Sequence, residues 1–140
     1  MAQIQGLHHI GIAPKDIEAS ISFFRDILEL PYDGSEELAQ RGIKTHFFRT
    51  TENKNDAQIE IIESLSEPSE ISKFVHTRGG GIHHLCLRVL DLDALHAKLR
   101  KACVEIIGHG PQEGAHGTRV MFIHPRSTGG ILLELVESNI

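Results

Sequence analysis

Two histidines and two glutamates lie at matching positions in the two halves of this 140-residue chain. His9 is followed 75 positions later by His84, and Glu60 is followed 74 positions later by Glu134. Imidazole nitrogens and carboxylate oxygens together suit borderline divalent ions such as Co²⁺, Mn²⁺, Ni²⁺ or Zn²⁺. Four such ligands leave octahedral positions for water or substrate, as a catalytic metal requires. The spacing therefore predicts one divalent metal ion held by His9, Glu60, His84 and Glu134.

The four residues belong to a longer internal repeat, in which four short segments match in the same order. Such a repeat predicts two copies of one module, and two copies are too few for a solenoid, so we expect them to close on each other. The matched segments are GLHHIGI (6–12) with GIHHLCL (81–87), DIEA (16–19) with DLDA (91–94), GIK (42–44) with GTR (117–119), and QIEIIE (58–63) with LLELVE (132–137).

Each copy has the same predicted order of elements. A strand rich in Ile, Leu and Val comes first, and a helix follows whose N-cap is Asp16 in one copy and Asp91 in the other. Two or three further strands complete each copy. The predicted strands are about 7–13, 43–50 and 57–63 in the first copy, and about 82–89, 118–124 and 131–137 in the second.

This order predicts an α+β fold, in which two βαβββ modules form a curved, half-barrel-like mixed sheet with the metal site between them. We expect residues 1–140 to form one domain. Module one covers about 6–63, a connecting helix about 69–78, and module two about 81–137.

Alternation along the first strand of each copy indicates where the ligands point. Side chains of a strand project alternately to its two faces. His9 and Ile10 therefore project from opposite faces of the first strand, and His84 and Leu85 project from opposite faces of its counterpart. The apolar faces should lie under the helices, and the histidines should point away from them. The neighbours of the histidines on their own faces are small, namely Gly11 and Cys86, and leave room for a ligand.

Composition excludes several classes of function. A net charge of -5 argues against nucleic acid or an acidic membrane as the main partner. No apolar run approaches the roughly 20 residues of a membrane span, and the N-terminus does not resemble a signal peptide. Cys86 and Cys103, the only cysteines, are expected to be reduced thiols. We therefore expect a cytoplasmic protein with a small-molecule substrate.

The segment HPRSTGG (124–130) is a second place where chemistry is expected. Arg126, Ser127 and Thr128, together with glycines that expose backbone N–H groups, suit an anionic part of a substrate. An ordinary tight turn explains the same residues equally well.

The patterns HHIGIA, GGGIHHLCLRVLDLDAL and GAHGTRV followed by HPRSTGG resemble those of the methylmalonyl-CoA epimerases, a family of the vicinal-oxygen-chelate superfamily. The resemblance covers Leu7 to Glu137 and matches the metal positions of the family one by one. It implies a metal-dependent epimerase that interconverts (2R)- and (2S)-methylmalonyl-CoA through an enolate, with Glu134 and Glu60 as the bases. It also implies a homodimer.

One position departs from the family pattern. Some epimerases carry a further glutamate, proposed as the second base, where this chain has Thr45. Glu36 and Glu37 lie nearby in sequence, in a predicted loop. Two other functions stay open at this point: a glyoxalase I-like lyase acting on a glutathione adduct, and a non-enzymatic small-molecule binding or resistance protein. The latter does not need the four ligands, and their presence argues against it.

Overall fold

The computed structural model describes residues 2–137, which form two βαβββ runs joined by one helix. This order confirms the predicted α+β class and the two modules. The first run comprises β1 (Ile4–Ala13), α1 (Ile17–Ser22), β2 (Tyr32–Leu38), β3 (Ile43–Arg49) and β4 (Gln58–Ser64). After α2 (Glu70–Arg78), the second run comprises β5 (Gly81–Val89), α3 (Leu92–Lys101), β6 (Ile106–Glu113), β7 (Arg119–Ile123) and β8 (Leu133–Glu137). None of the described helices is long and apolar enough to cross a membrane.

Both modules pair their strands in the same way. The strand order is β2-β3-β4-β1 in the first module and β5-β8-β7-β6 in the second. The first strand of each module runs parallel to the last, and the other neighbours are antiparallel. Parallel neighbours need a long crossover, which α1 and the hairpin strands supply. The predicted mixed sheet is therefore present in each module.

The predicted N-caps are confirmed in both modules. The Asp16 carboxylate accepts a hydrogen bond from the Ala19 N–H at 3.0 Å, and the Asp91 carboxylate accepts one from the Ala94 N–H at 3.0 Å. The two helices then differ, because α1 passes into a π-helical turn at Phe23–Ile27 whereas α3 stays regular. The connecting helix α2 begins after Ser69, close to its predicted start.

The helices cover the sheet faces that alternation predicts, with one exception. Leu92 of α3 packs on Met121 and Leu135, which share the face of Leu87. In the first module, the Phe24 ring after α1 lies 6.0 Å from the Phe48 ring, on the face of Ile10. Helix α2 is the exception, because its Ile71 packs on the opposite face. Its partners there are Ala13, Ile43 and Ile62.

The interpretation of Glu36 and Glu37 as loop residues is wrong, because both lie in β2. This strand pairs antiparallel with β3, and Glu36 is directly opposite Thr45 while Glu37 is opposite Lys44. The sequence YDGSEEL contains few apolar residues, so β2 gives no alternation signal of its own. Its pairing with the buried strand β3 holds it in the sheet.

The chain folds into two compact units whose boundaries lie inside β1 and β5. Among the described residues, the N-terminal unit comprises His9–His83, and the C-terminal unit comprises residues 2–8 with residues 84–137. The first residues of the chain therefore belong to the C-terminal unit, where the Leu90 N–H donates to the Gln3 carbonyl at 2.8 Å. The chain passes from one unit to the other between His8 and His9, and again between His83 and His84.

We predict that residues 1–78 do not fold alone, because such a fragment lacks part of the N-terminal unit and separates residues 2–8 from their partners in the C-terminal unit. The expected result is a non-cooperative urea transition, measured by circular dichroism beside the full chain. A cooperative, monomeric fragment would contradict the expectation of a single domain.

Candidate functional site

The N-terminal unit holds a buried pair made by His9 and Glu60. In the parallel register of β1 and β4, Glu60 lies beside Gly11, and His9 lies one pleat away on the same face. Gly11 has no side chain, which leaves room for the carboxylate to turn toward the imidazole. The distance from His9 Nδ1 to Glu60 Oε2 is 3.0 Å, and the two side chains are only 4% and 10% exposed.

The C-terminal unit holds the same kind of pair, made by His84 and Glu134. In the register of β5 and β8, Glu134 lies beside Cys86, another small residue. The distance from His84 Nε2 to Glu134 Oε1 is 3.0 Å, with side-chain exposures of 5% and 9%. The His84 and Phe122 rings are nearly perpendicular, with their centroids 6.3 Å apart, so the pair has an aromatic neighbour.

These two pairs share one physical requirement. A buried carboxylate or imidazolium is costly unless a partner compensates its lost hydration. Each pair satisfies that requirement either as an ion pair or as two ligands of one cation. Two ligand atoms at about 2.1 Å from a metal, at a right angle, lie roughly 3.0 Å apart. The separations of 3.0 Å in both pairs fit such neighbouring ligands. Their nitrogen and oxygen donors suit a borderline divalent metal.

Comparison with known proteins identifies the family. The family model of the glyoxalase/bleomycin resistance protein/dioxygenase superfamily matches residues 8–122. The chain belongs to this superfamily.

Several relatives of this chain are named as epimerases. The ethylmalonyl-CoA/methylmalonyl-CoA epimerase of Cereibacter sphaeroides is 34% identical over 133 residues, covering 94% of this chain and 96% of the relative. The crystal structure of methylmalonyl-CoA epimerase from Mycobacterium tuberculosis has a TM-score of 0.90 and 35% identity, and covers 100% of this chain and 92% of its own. A variant of the Streptomyces coelicolor epimerase in complex with 2-nitronate-propionyl-CoA has a TM-score of 0.88 at 28% identity, covering 98% and 99% of the two chains. The family resemblance and the class of enzyme that the sequence predicts, an epimerase, are thereby confirmed.

The predicted substrate-binding residues lie in a tight turn of the C-terminal unit. The Ser127 hydroxyl accepts a hydrogen bond from the Glu105 N–H at 3.0 Å, and the Thr128 hydroxyl accepts one from the Ile131 N–H at 3.0 Å. Arg126 lies 3.5 Å from Glu105, but its side chain is 77% exposed. The hydroxyls therefore shape the turn, and the Arg126 guanidinium is largely exposed to solvent.

A polar network centred on His46 lies in the N-terminal unit. His46 is only 6% exposed. Its Nδ1 lies 3.0 Å from the Tyr32 hydroxyl, and its Nε2 lies 3.0 Å from Glu63 Oε2. In the sheet, His46 shares a face with Phe48, opposite to the face of Glu60. The network therefore belongs to the helix-covered core, and alternation in β3 does not mark it, because Thr45 to Phe48 are all buried.

We predict that His46→Ala lowers the free energy of unfolding by about 1–3 kcal/mol, because the half-buried side chains of Tyr32 and Glu63 lose their shared partner. Urea denaturation measures this loss. His76→Ala on the exposed side of α2 is the matched control, and its effect should stay within about 0.5 kcal/mol. Equal effects of the two substitutions would contradict a structural role for the network.

Removal of one imidazole tests the predicted metal ligands. His84→Ala should lower metal affinity by more than about 100-fold. Loss of a residue that only hydrogen-bonds to a metal ligand already lowers metal affinity by about 10–100-fold. His83→Ala is the control, because His83 faces the Phe74 ring at a centroid distance of 5.0 Å. Elemental analysis and metal titration measure the difference. Unchanged metal content in His84→Ala, with a native circular dichroism spectrum, would refute the ligand assignment.

Proposed function

We propose that this protein is a metal-dependent epimerase that interconverts (2R)- and (2S)-methylmalonyl-CoA. The observation that carries the proposal is the buried histidine–glutamate pair, present once in each unit with the same 3.0 Å separation. The relatives supply the reaction class, since several are named for methylmalonyl-CoA and one solved epimerase is in complex with methylmalonyl-CoA itself.

The two pairs are proposed to bind one divalent ion of Co, Mn, Ni or Zn, through His9, Glu60, His84 and Glu134. The internal repeat supports a shared ion, because each module supplies one histidine and one glutamate at matching positions.

The chemistry requires a proton to leave one carbon and return on the opposite face. That carbon lies between a thioester carbonyl and a carboxylate, so loss of the proton gives an enolate. A divalent metal, when bound, supplies positive charge that stabilises the developing negative charge on oxygen. The protein must supply a base on each face. The sequence assigns these roles to Glu134 and Glu60, one carboxylate from each unit.

The anionic substrate also needs a cationic contact. We propose the turn at Arg126, Ser127 and Thr128 for this role, with Arg126 as the group that contacts an anionic part of the acyl-CoA. Its exposed guanidinium supports this assignment. The homodimer and the cytoplasmic location that the sequence analysis expects stay predictions.

The alternatives are less well supported by the same observations. A binding or resistance protein of this superfamily needs neither of the two buried carboxylates. In such a protein, the burial of two charged groups would lower the stability of the fold without serving its function. A glyoxalase I-like lyase would use the same ligands. The named relatives favour the epimerase over the lyase.

The decisive experiment incubates the metal-loaded protein with (2R)-methylmalonyl-CoA in D₂O and follows both inversion and deuterium incorporation. We expect both to occur in the wild type. Glu134→Gln and Glu60→Gln should each lose inversion by about 100-fold or more, while at least one of them still exchanges the α-proton of one epimer. Metal content is measured in parallel, so that loss of the ion is separated from loss of a base. Wild-type protein with bound metal that neither exchanges nor inverts would refute the proposed function.

A further inference from the structure

Strand β6 departs from regular pairing with its neighbour β7. Ile107 is opposite Phe122 of β7, and the next paired residues are Gln112 and Val120. Residues 108–111 of β6 therefore stand against a single residue of β7. Such an excess on one strand is a β-bulge, which bends the strand and redirects its side chains.

The equivalent place in the first module has a smaller bulge. Between the pairs Tyr32–Phe48 and Ser35–His46, two residues of β2 stand against one residue of β3. The larger bulge of β6 is therefore a feature of the second module and not of the shared βαβββ plan. It also contains two glycines with positive φ, Gly108 at 76° and Gly110 at 115°.

The bulge and helix α3 form the walls of an open cavity of about 330 Å³. Pockets that bind small molecules begin at roughly this size. Three of the lining side chains are histidine or arginine, and none of the lining residues is acidic, although the whole chain carries a net charge of -5. The cavity is lined by His96, Arg100, Val104, Ile106, Gly108 and His109.

The His96 imidazole is held at one wall by its contact with the bulge. A Cβ atom on Gly110 would lie 2.5 Å from His96 Cε1 and 2.9 Å from His96 Nε2. Only a glycine permits this approach, and the positive φ of Gly110 is also one that favours glycine. His96 is half-buried as a result, so its ring stays at the cavity and does not extend freely into water.

The positive charge at the cavity is not neutralised by the protein itself. His96 and Arg100 are four residues apart in α3 and therefore lie on one side of the helix. The Asp93 carboxylate near His96 is already bound by both terminal nitrogens of Arg119, at 2.9 Å each. Among the described residues, no carboxylate forms an ion pair with Arg100, and Arg100 and His109 are both exposed.

The cavity lies on the helix-covered side of the sheet, away from Glu134. Ile106 packs on the core cluster under α3 that contains Leu135. Leu135 follows Glu134 in β8, and successive side chains of a strand project to opposite faces. A ligand in the cavity is therefore separated by the sheet from the glutamate that is proposed as a metal ligand and base in this unit.

We propose that this cavity binds a phosphate group of a small molecule. The Arg100 guanidinium can donate two parallel hydrogen bonds to phosphate oxygens, and the two imidazoles add further N–H donors. Val104 and Ile106 provide an apolar surface for the carbon part of the ligand. Two sources offer this chemistry, a free phosphorylated metabolite and the nucleotide end of an acyl-CoA.

The binding test titrates inorganic phosphate, and separately adenosine 3′,5′-bisphosphate, into zinc-loaded, ¹⁵N-labelled protein at constant ionic strength. The amide signals of Gly108, His109 and Gly110 should shift and saturate, whereas sodium chloride should not shift them. Arg100→Gln should weaken binding by about tenfold or more, because a charged hydrogen-bond donor is lost. His96→Phe, which keeps a ring beside Gly110 but removes its N–H donors, should also weaken binding.

Lys98→Gln is the matched control. It removes the same charge from α3, but Lys98 is two positions from both His96 and Arg100 and does not line the cavity. This variant should bind phosphate like the wild type. The inference is overturned if neither probe gives saturable shifts, if sodium chloride gives the same shifts, or if Arg100→Gln and Lys98→Gln weaken binding equally.

Inhibition kinetics separate the two sources of the phosphate. If the nucleotide end of the acyl-CoA occupies the cavity, adenosine 3′,5′-bisphosphate competes with methylmalonyl-CoA, and Arg100→Gln raises KM without lowering kcat. If a free phosphorylated metabolite occupies it, KM is unchanged in Arg100→Gln while the loss of phosphate binding persists. Both results support a phosphate site. The titration itself needs no catalysis, so failure of the proposed epimerase function is distinguished from failure of this inference.

Discussion

Burial of a carboxylate in the middle of a β-sheet is the constraint around which this structure is arranged. Glu60 and Glu134 each lie in the last strand of a module, 10% and 9% exposed, with apolar residues on either side in sequence. Neither could remain there without a partner, because the lost hydration costs several kcal/mol per ion. The parallel pairing of first and last strands brings a histidine to each glutamate. A small neighbour, Gly11 or Cys86, gives the carboxylate space to reach it.

The same pairing explains why the two histidine–glutamate pairs were predictable from the sequence. Strand alternation fixes the face of His9 and His84, and the repeat shows the pattern twice, so a weak local signal becomes a strong one. The helix caps at Asp16 and Asp91 were predictable for a similar reason, since a carboxylate before an apolar helical run has a defined role at the first turn. Each of these features depends on local chemistry, which a sequence records directly.

The features that sequence reasoning missed depend on partners distant in the chain. Strand β2 lacks apolar alternation, and only its register with β3 makes it a strand and brings Glu36 to Thr45. Strand β3 has four buried residues in succession, Thr45 to Phe48, so its two faces cannot be told apart in the sequence and the burial of His46 is not evident there. Helix α2 packs on the face opposite to the other helices, which its own periodicity cannot reveal. Tertiary pairing determines all three.

The boundaries of the two compact units have a consequence for recombination between related chains. The glycines at 79–81 lie at the boundary between the two repeats in the sequence. A recombination crossover there would keep each repeat intact. Such a chimera would nevertheless combine residues 2–8 of one parent with a C-terminal unit from the other. Crossovers at His8–His9 and His83–His84 together keep each folded unit from a single parent. A chimera therefore keeps compatible halves when its crossovers follow the folded units and not the repeats. Homologous chains are best recombined at His8–His9 and His83–His84.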